Sequence, residues 1–352
     1  NDDDTFETKT VLASDIFNFS ISGIEGAYVY TVSEIKKFDT YNIRNIYSIT
    51  IPAGIMYVRI TTQNYEKKNN VEYGLTELII ADGANVTLLN IGNLRRVKTI
   101  KVGAANVVFG RNGSYFNPNN ERRDMQVIET IDMSTPGANV VFEPGAFNGR
   151  SKLKNLILSD NSSYVFKGSA FYNCAIDNLD LTKNSTYDIQ SESFYGNDFL
   201  ELIIPDNATH VTMSGSPFKN CLTTYLYIGK NYVLNSAVFY EMKYLEKVVI
   251  MDGVTFGSYF ENLFYSAGNR LTTDDGKGIN TTDGTPLYIY NHSTVFFSNG
   301  TLPKQTFGNC DGVFFYTVAD GIGTRTDVFN NCKDVKDADG NVVYKAWTIY
   351  LG

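Results

Sequence analysis

Phenylalanine returns in this chain at a nearly fixed stride, standing at Phe147, Phe171, Phe194, Phe218, Phe239, Phe264, Phe307 and Phe329. The intervals are 24, 23, 24, 21, 25, 43 and 22 residues, so the long one is close to two periods and predicts a hidden rung plus an insertion. A small or apolar residue usually precedes the ring, as in Ala146-Phe147, Ala170-Phe171 and Pro217-Phe218. Cysteine follows three places later at Cys174, Cys221, Cys310 and Cys332. A repeat of this length cannot bury its apolar side chains alone. It has to stack on its neighbours, and the period therefore predicts a solenoid.

A second series keeps phase with the first: apolar-x-x-apolar-x-apolar, as in Leu78 with Ile80, Ile100 with Val102, Leu156 with Leu158, Leu179 with Leu181, and Leu202 with Ile204. Its last positions, 51, 80, 102, 133, 158, 181, 204, 228, 250, 290 and 318, predict eleven rungs. A polar turn follows most of them, then another alternating pair such as Val86/Leu88, Val107/Phe109, Val140/Phe142 or Val211/Met213. Period-two alternation on both sides of a turn argues for two short strands per repeat and leaves no window for an amphipathic helix in most rungs.

The order strand, Ile204-Pro205-Asp206-Asn207, second strand, Phe218-Lys219-Asn220-Cys221 resembles the BspA-like leucine-rich repeats of bacterial and protist surface proteins, over roughly residues 43 to 332. The resemblance implies a mainly β repeat solenoid, a leucine-rich-repeat horseshoe whose parallel sheet has about eleven short rungs, with a second short strand per repeat. On that reading residues 1–42 are an N-terminal tether and cap, 43–332 the solenoid with an insertion near 266–286, and 333–352 a C-terminal hairpin cap. It also implies a lipoprotein of the cell surface or outer membrane, exported and lipid-anchored on a cysteine ahead of the acidic start Asn1-Asp2-Asp3-Asp4.

Net charge of -8 and the lack of any long Lys/Arg run argue against a nucleic-acid partner. No apolar stretch is long enough for a membrane helix, so a lipid anchor is the one membrane attachment expected. His210 and His292 are the only histidines, too far apart in the array to share a metal, and no nucleophile motif accompanies them. Alternation with Val211 and Met213 places His210 on the outer surface. Asp274-Asp275-Gly276 with Asp283-Gly284, and Asp337-Ala338-Asp339-Gly340-Asn341, lack the bidentate acid of a calcium loop, so no cofactor or metal is expected. Cys174 and Cys221 fall two rungs apart, about 10 Å, beyond disulfide reach, and Cys310 and Cys332 would bond only by turning toward each other. All four read as buried free thiols. The nine Asn-x-Ser/Thr sequons fall largely in turns, where Asn is expected on backbone grounds.

What remains is a surface. Residues alternating with the buried positions of the first strand form two columns about 4.8 Å apart per step. One carries Asp180, Ile203, Tyr227 and Val249, the other Glu201, Tyr225 and Lys247. Exposed apolar and aromatic side chains on such a face point to ligand binding, so Tyr225, Tyr227, Glu201, Lys247, Ile203 and Asp180 are the candidate contacts for a protein or glycan ligand. The function expected is non-enzymatic recognition or adhesion. Two alternatives stand beside it. Asp180 and Glu201, about 8 Å apart on adjacent rungs, match the spacing of an inverting glycosidase pair, and an architectural spacer would gather no aromatics on one face.

Overall fold

The computed structural model describes residues 50–51, 53, 76–88, 97–110, 127–257, 261–268, 286–294, 305–318, 328–336 and 339–351 with their side chains, and further strands upstream, from Glu7–Val11 onward, by their backbone. The acidic start, most of the cap expected over 1–42, the insertion from 269 to 285 and its Asp-rich turns lie outside the described residues. Two compact units divide the chain, Asn1–Ile176 with Lys183–Tyr187, and Asp177–Thr182 with Asp188–Gly352. No helix occurs among the described residues. The fold is a mainly β repeat solenoid built from parallel sheets of short strands.

In the first unit a parallel sheet runs through Glu7–Val11, Tyr28–Val32, Ile46–Ile51, Glu77–Ile80, Thr99–Val102, Thr130–Asp132 and Asn155–Ile157. A second holds Lys37–Thr40, Tyr57–Ile60, Asn85–Leu89, Asn106–Phe109, Asn139–Phe142 and Ser163–Phe166, also in parallel. Alternation sends Ile100, Val102, Val107 and Phe109 inward, all nearly inaccessible. Strict register puts like side chains above one another. Phe109, Phe142 and Phe166 therefore stack at 5.1 and 5.3 Å, while Phe147 and Phe171 form a second stack at 5.4 Å that meets Phe142 edge-on. Aromatic stacking of this kind adds about 0.5–1.5 kcal/mol per pair to the burial itself. Buried hydroxyls are satisfied the same way: Ser159 Oγ lies 3.0 Å from Ser162 Oγ, and Ser185 Oγ donates to the Ser159 carbonyl at 2.7 Å.

In the second unit the parallel sheet comprises Glu201–Ile204, Tyr225–Ile228, Lys247–Ile250, Leu287–Asn291, Val313–Thr317 and Trp347–Leu351. Phe194 and Phe218 stack at 6.2 Å with Phe199 edge-on to both. A second run, Phe239, Phe264, Phe307 and Phe329, steps at 5.4, 5.5 and 5.4 Å and ends on Trp347 at 4.9 Å. Val335–Lys336 and Val342–Tyr344 pair antiparallel, with Gly340 between them in the left-handed region at φ 85°.

The segment carrying the phenylalanine is a turn with its own inter-rung bonds. Residues two before and two after the ring adopt positive φ: Ser169 and Asn173 around Phe171, Glu192 and Gly196 around Phe194, Ala237 and Glu241 around Phe239, Gln305 and Asn309 around Phe307. For non-glycine residues this costs about 1–2 kcal/mol each. The conformation turns N–H groups toward the next rung, where they find carbonyls: Phe147 to Ala170 at 2.7 Å and Gly149 to Tyr172 at 2.8 Å in the first unit, Phe194 to Pro217 and Gly196 to Lys219, both 3.0 Å, in the second. Where both strands form, a repeat is thus tied to its neighbour on three sides.

All four cysteines are free. Each thiol donates to the carbonyl of the phenylalanine one rung back: Cys174 to Phe147 at 3.1 Å, Cys221 to Phe194 at 2.9 Å, Cys310 to Phe264 at 2.9 Å and Cys332 to Phe307 at 3.0 Å. Burial pushes the Cys174 and Cys221 thiols up to about 12, which keeps them protonated as donors.

Three expectations need correction. The 43-residue interval hides no rung: Phe264 stacks directly on Phe307 at 5.5 Å and Lys247–Ile250 pairs directly with Leu287–Asn291, so the excess length is insertion alone. The rung read at Ile176, Leu179 and Leu181 buries those side chains but forms no strand. Here Asp180 Oδ1 accepts the Thr182 N–H at 2.9 Å and the Thr182 hydroxyl at 2.5 Å, a local turn that competes with the ladder for the backbone. His210 is half-buried rather than outside, with Nε2 out of contact with solvent. The strand begins only at Val211, so the alternation does not reach back to it.

Candidate functional site

Within the second unit's sheet, register fixes which side chains share the outward face. Glu201, Tyr225, Lys247, Tyr288, Phe314 and Thr348 form one column, and Ile203, Tyr227, Val249, Tyr290, Tyr316 and Tyr350 the other. The inward partners Leu202, Leu226, Val248, Ile289 and Phe315 are fully buried, which locks the outward set in place. Five of the sequence candidates therefore lie on one face. Glu201 and Lys247 are exposed, Ile203 is 36% exposed, and Tyr225 and Tyr227 are half-buried against their neighbours. Asp180 does not join them, since it sits in its own turn outside any strand. The glycosidase-like pairing with Glu201 consequently lacks the adjacent-strand register on which it rested.

Most of the face was missed from sequence. Tyr288 stacks on Phe314 at 5.4 Å, Tyr290 on Tyr316 at 5.0 Å and Tyr316 on Tyr350 at 4.6 Å, the last two pairs within 8° of parallel. Tyr344, from the hairpin, meets Phe314 edge-on at 5.8 Å. The signal was available in the alternation Tyr288-Ile289-Tyr290 and Phe314-Phe315-Tyr316, blurred in the second by the inward aromatic Phe315.

Lys247 joins the ladder from its other end. Its Nζ lies 5.6 Å from the Tyr225 ring centre and 5.4 Å from that of Tyr290, a cation held between two aromatic faces. Tyr227 donates to Asp206 Oδ1 at 3.3 Å, and the same oxygen accepts the Lys230 N–H at 2.9 Å. Partial desolvation, reinforced by the Asp206 carboxylate, raises the Tyr227 hydroxyl above the ordinary phenol range. Tyr288 and Tyr316 are raised too, by desolvation first and then by neighbouring tyrosines. These phenols therefore remain protonated hydrogen-bond donors at neutral pH. Among the described residues no three His, Cys, Asp or Glu side chains converge as a metal centre would require.

Neither a search of curated proteins nor one of solved structures returned a match. A family model described as a BspA type leucine-rich repeat region (6 copies) matches residues 127–246 and 167–273, a stretch that carries the phenylalanine stride from Phe147 to Phe264. Over residues 127–273, by repeat, by ladder and by family match, the chain is similar to the BspA-type leucine-rich repeat proteins.

Proposed function

We propose that this chain is a non-enzymatic recognition module, exported to the cell surface, that binds a protein or glycan ligand through the outward face of the second unit's sheet. The observation that carries the reading is the concentration of Tyr225, Tyr227, Tyr288, Tyr290, Phe314, Tyr316 and Tyr350 on that face. A polar, turn-rich array has no packing need for aromatics on the solvent side of a sheet. Large, rigid, amphipathic rings give contact area at low conformational cost, which is why they dominate recognition surfaces. The BspA-type repeat supports surface display and binding, because proteins of this kind are generally surface-associated.

The test is to screen the purified chain on arrays of immobilised glycans and extracellular proteins, alongside the double variant Tyr290→Ala, Tyr316→Ala. Binding that falls at least about tenfold with little change in melting temperature supports the reading, since half-exposed rings contribute less to the core than to a buried interface. Ligands bound equally by both proteins would move the site off this face.

A further inference from the structure

We infer that the ligand along this face is an extended, uronate-bearing polysaccharide that crosses the strands, with about one sugar per rung and a carboxylate over Lys247. The inference rests on the reading of the face as a recognition surface and adds the ligand class.

Ring orientation comes first. Tyr290, Tyr316 and Tyr350 lie face to face at 5.0 and 4.6 Å, and Tyr288 faces Phe314 at 5.4 Å. Their π faces are spent on one another and, at Tyr290, on Lys247. What they turn outward is edge and hydroxyl. Ring edges carry the positive part of the aromatic quadrupole, and the phenol O–H groups are donors. A ridge of this kind is poorly suited to stacking a sugar flat on a ring and well suited to contacting oxygen acceptors.

Charge points the same way. From Lys247 to Tyr350 the two outward columns read Lys247, Val249, Tyr288, Tyr290, Phe314, Tyr316, Thr348 and Tyr350, with one cation and no carboxylate. Among the described residues none places a carboxylate within ion-pair distance of Lys247. Glu246 precedes it off the two columns, Glu201 stands two strands away, and Asp206 is engaged by Tyr227 and Lys230. The net charge of -8 opposes an anion at long range, but screening limits that repulsion to about 8 Å at physiological salt.

Spacing separates a glycan from a peptide. An extended peptide laid along the ladder would repeat its same-side groups every 6.7 Å or so, twice the rise of a strand residue. The rings repeat at 4.6 to 5.4 Å. An extended β-1,4-linked pyranose chain advances by close to one strand spacing per sugar and turns over at each linkage, so its same-side oxygens fall on every second rung, whereas the peptide repeat matches no whole number of rungs.

Titration calorimetry with three probes tests this: β-1,4-linked hexamannuronate, neutral cellohexaose of the same length, and poly-glutamate. The expected result is hexamannuronate binding about tenfold tighter than cellohexaose, a preference lost in Lys247→Met, as removal of one charge-assisted contact predicts. Tyr290→Phe and Tyr316→Phe, which keep the rings and remove the hydroxyls, should weaken the same binding severalfold. Equal affinity for the two hexasaccharides, an indifferent Lys247→Met variant, or poly-glutamate binding as tightly as the uronate would overturn the inference. So would no hexamannuronate binding at all. If a protein from the array then bound and was lost in Tyr290→Ala, Tyr316→Ala, the recognition face would stand and only its ligand class would fall.

Discussion

At the residue scale, one phenylalanine per repeat does what the spacing suggested, and its cost of removal follows from its surroundings. Phe194 is fully buried, stacked on Phe218 at 6.2 Å and met edge-on by Phe199 at 6.3 Å. Phe194→Ala should destabilise by about 3–5 kcal/mol in urea titrations, because neighbours fixed by inter-rung bonds cannot collapse into the space. A loss under about 1 kcal/mol would mean the ring is not part of the core. The thiols give a pH signature. Cys174 and Cys221 sit at about 12 in the folded chain, against about 8.5 when unfolded. Between those values the unfolded state sheds protons that the folded state keeps, so their contribution is whole below about pH 8.5 and declines as pH rises. The slope is about 1.4 kcal/mol per pH unit for each thiol. Urea midpoints should therefore fall more steeply from pH 8.5 to 10.5 in the wild type than in Cys174→Ala, Cys221→Ala, and parallel curves would refute the assignment. The phenylalanine and cysteine positions were legible because one residue type recurs. The left-handed positions flanking them were not, since Ser169, Glu192, Ala237 and Gln305 share a backbone need and no side-chain chemistry.

At the scale of the element, the rung at 176–181 marks the limit of pattern reading. Ile176, Leu179 and Leu181 have the same spacing as Phe199, Leu202 and Ile204, and all six are buried, yet only Glu201–Ile204 is a strand. Apolar spacing reports which side chains go inward. Whether the backbone also joins a ladder depends on competition from nearby polar groups, and Asp180, which holds both the N–H and the hydroxyl of Thr182, is the competitor at this rung. Asp132 accepts the Ser134 N–H at 3.0 Å in the same way, and the strand Thr130–Asp132 stops there. Amide hydrogen exchange should accordingly be faster across 178–182 than across 202–204 and 226–228, with Asp180→Val slowing it. Equal protection in the wild type would show that the local turn does not compete with pairing.

For the whole molecule, electrostatics were the part that composition gave only as a sum. A net charge of -8 says nothing of where the charges stand. Along the array they form inter-rung pairs, Lys101 with Glu77 and Lys167 with Glu143 at 2.7 Å and Lys219 with Glu241 at 3.3 Å, all at least one-fifth exposed. Exposed pairs contribute about 0–1 kcal/mol each and weaken as salt rises. The uncompensated acids repel one another over the chain, and salt weakens that as well. The two effects oppose, and the surplus of eight negative charges exceeds what a few screened pairs return. Raising sodium chloride from low concentration to about 0.5 M, where the Debye length shrinks to a few ångström, should thus leave the melting temperature unchanged or raise it by a few degrees. The aromatic face carries little of this charge and should respond even less, so ligand contacts made by Tyr290 and Tyr316 would keep their strength while any made through Lys247 would lose it. A melting temperature that drops markedly with salt would show the inter-rung pairs, and not the buried rings, to be the dominant tie between repeats.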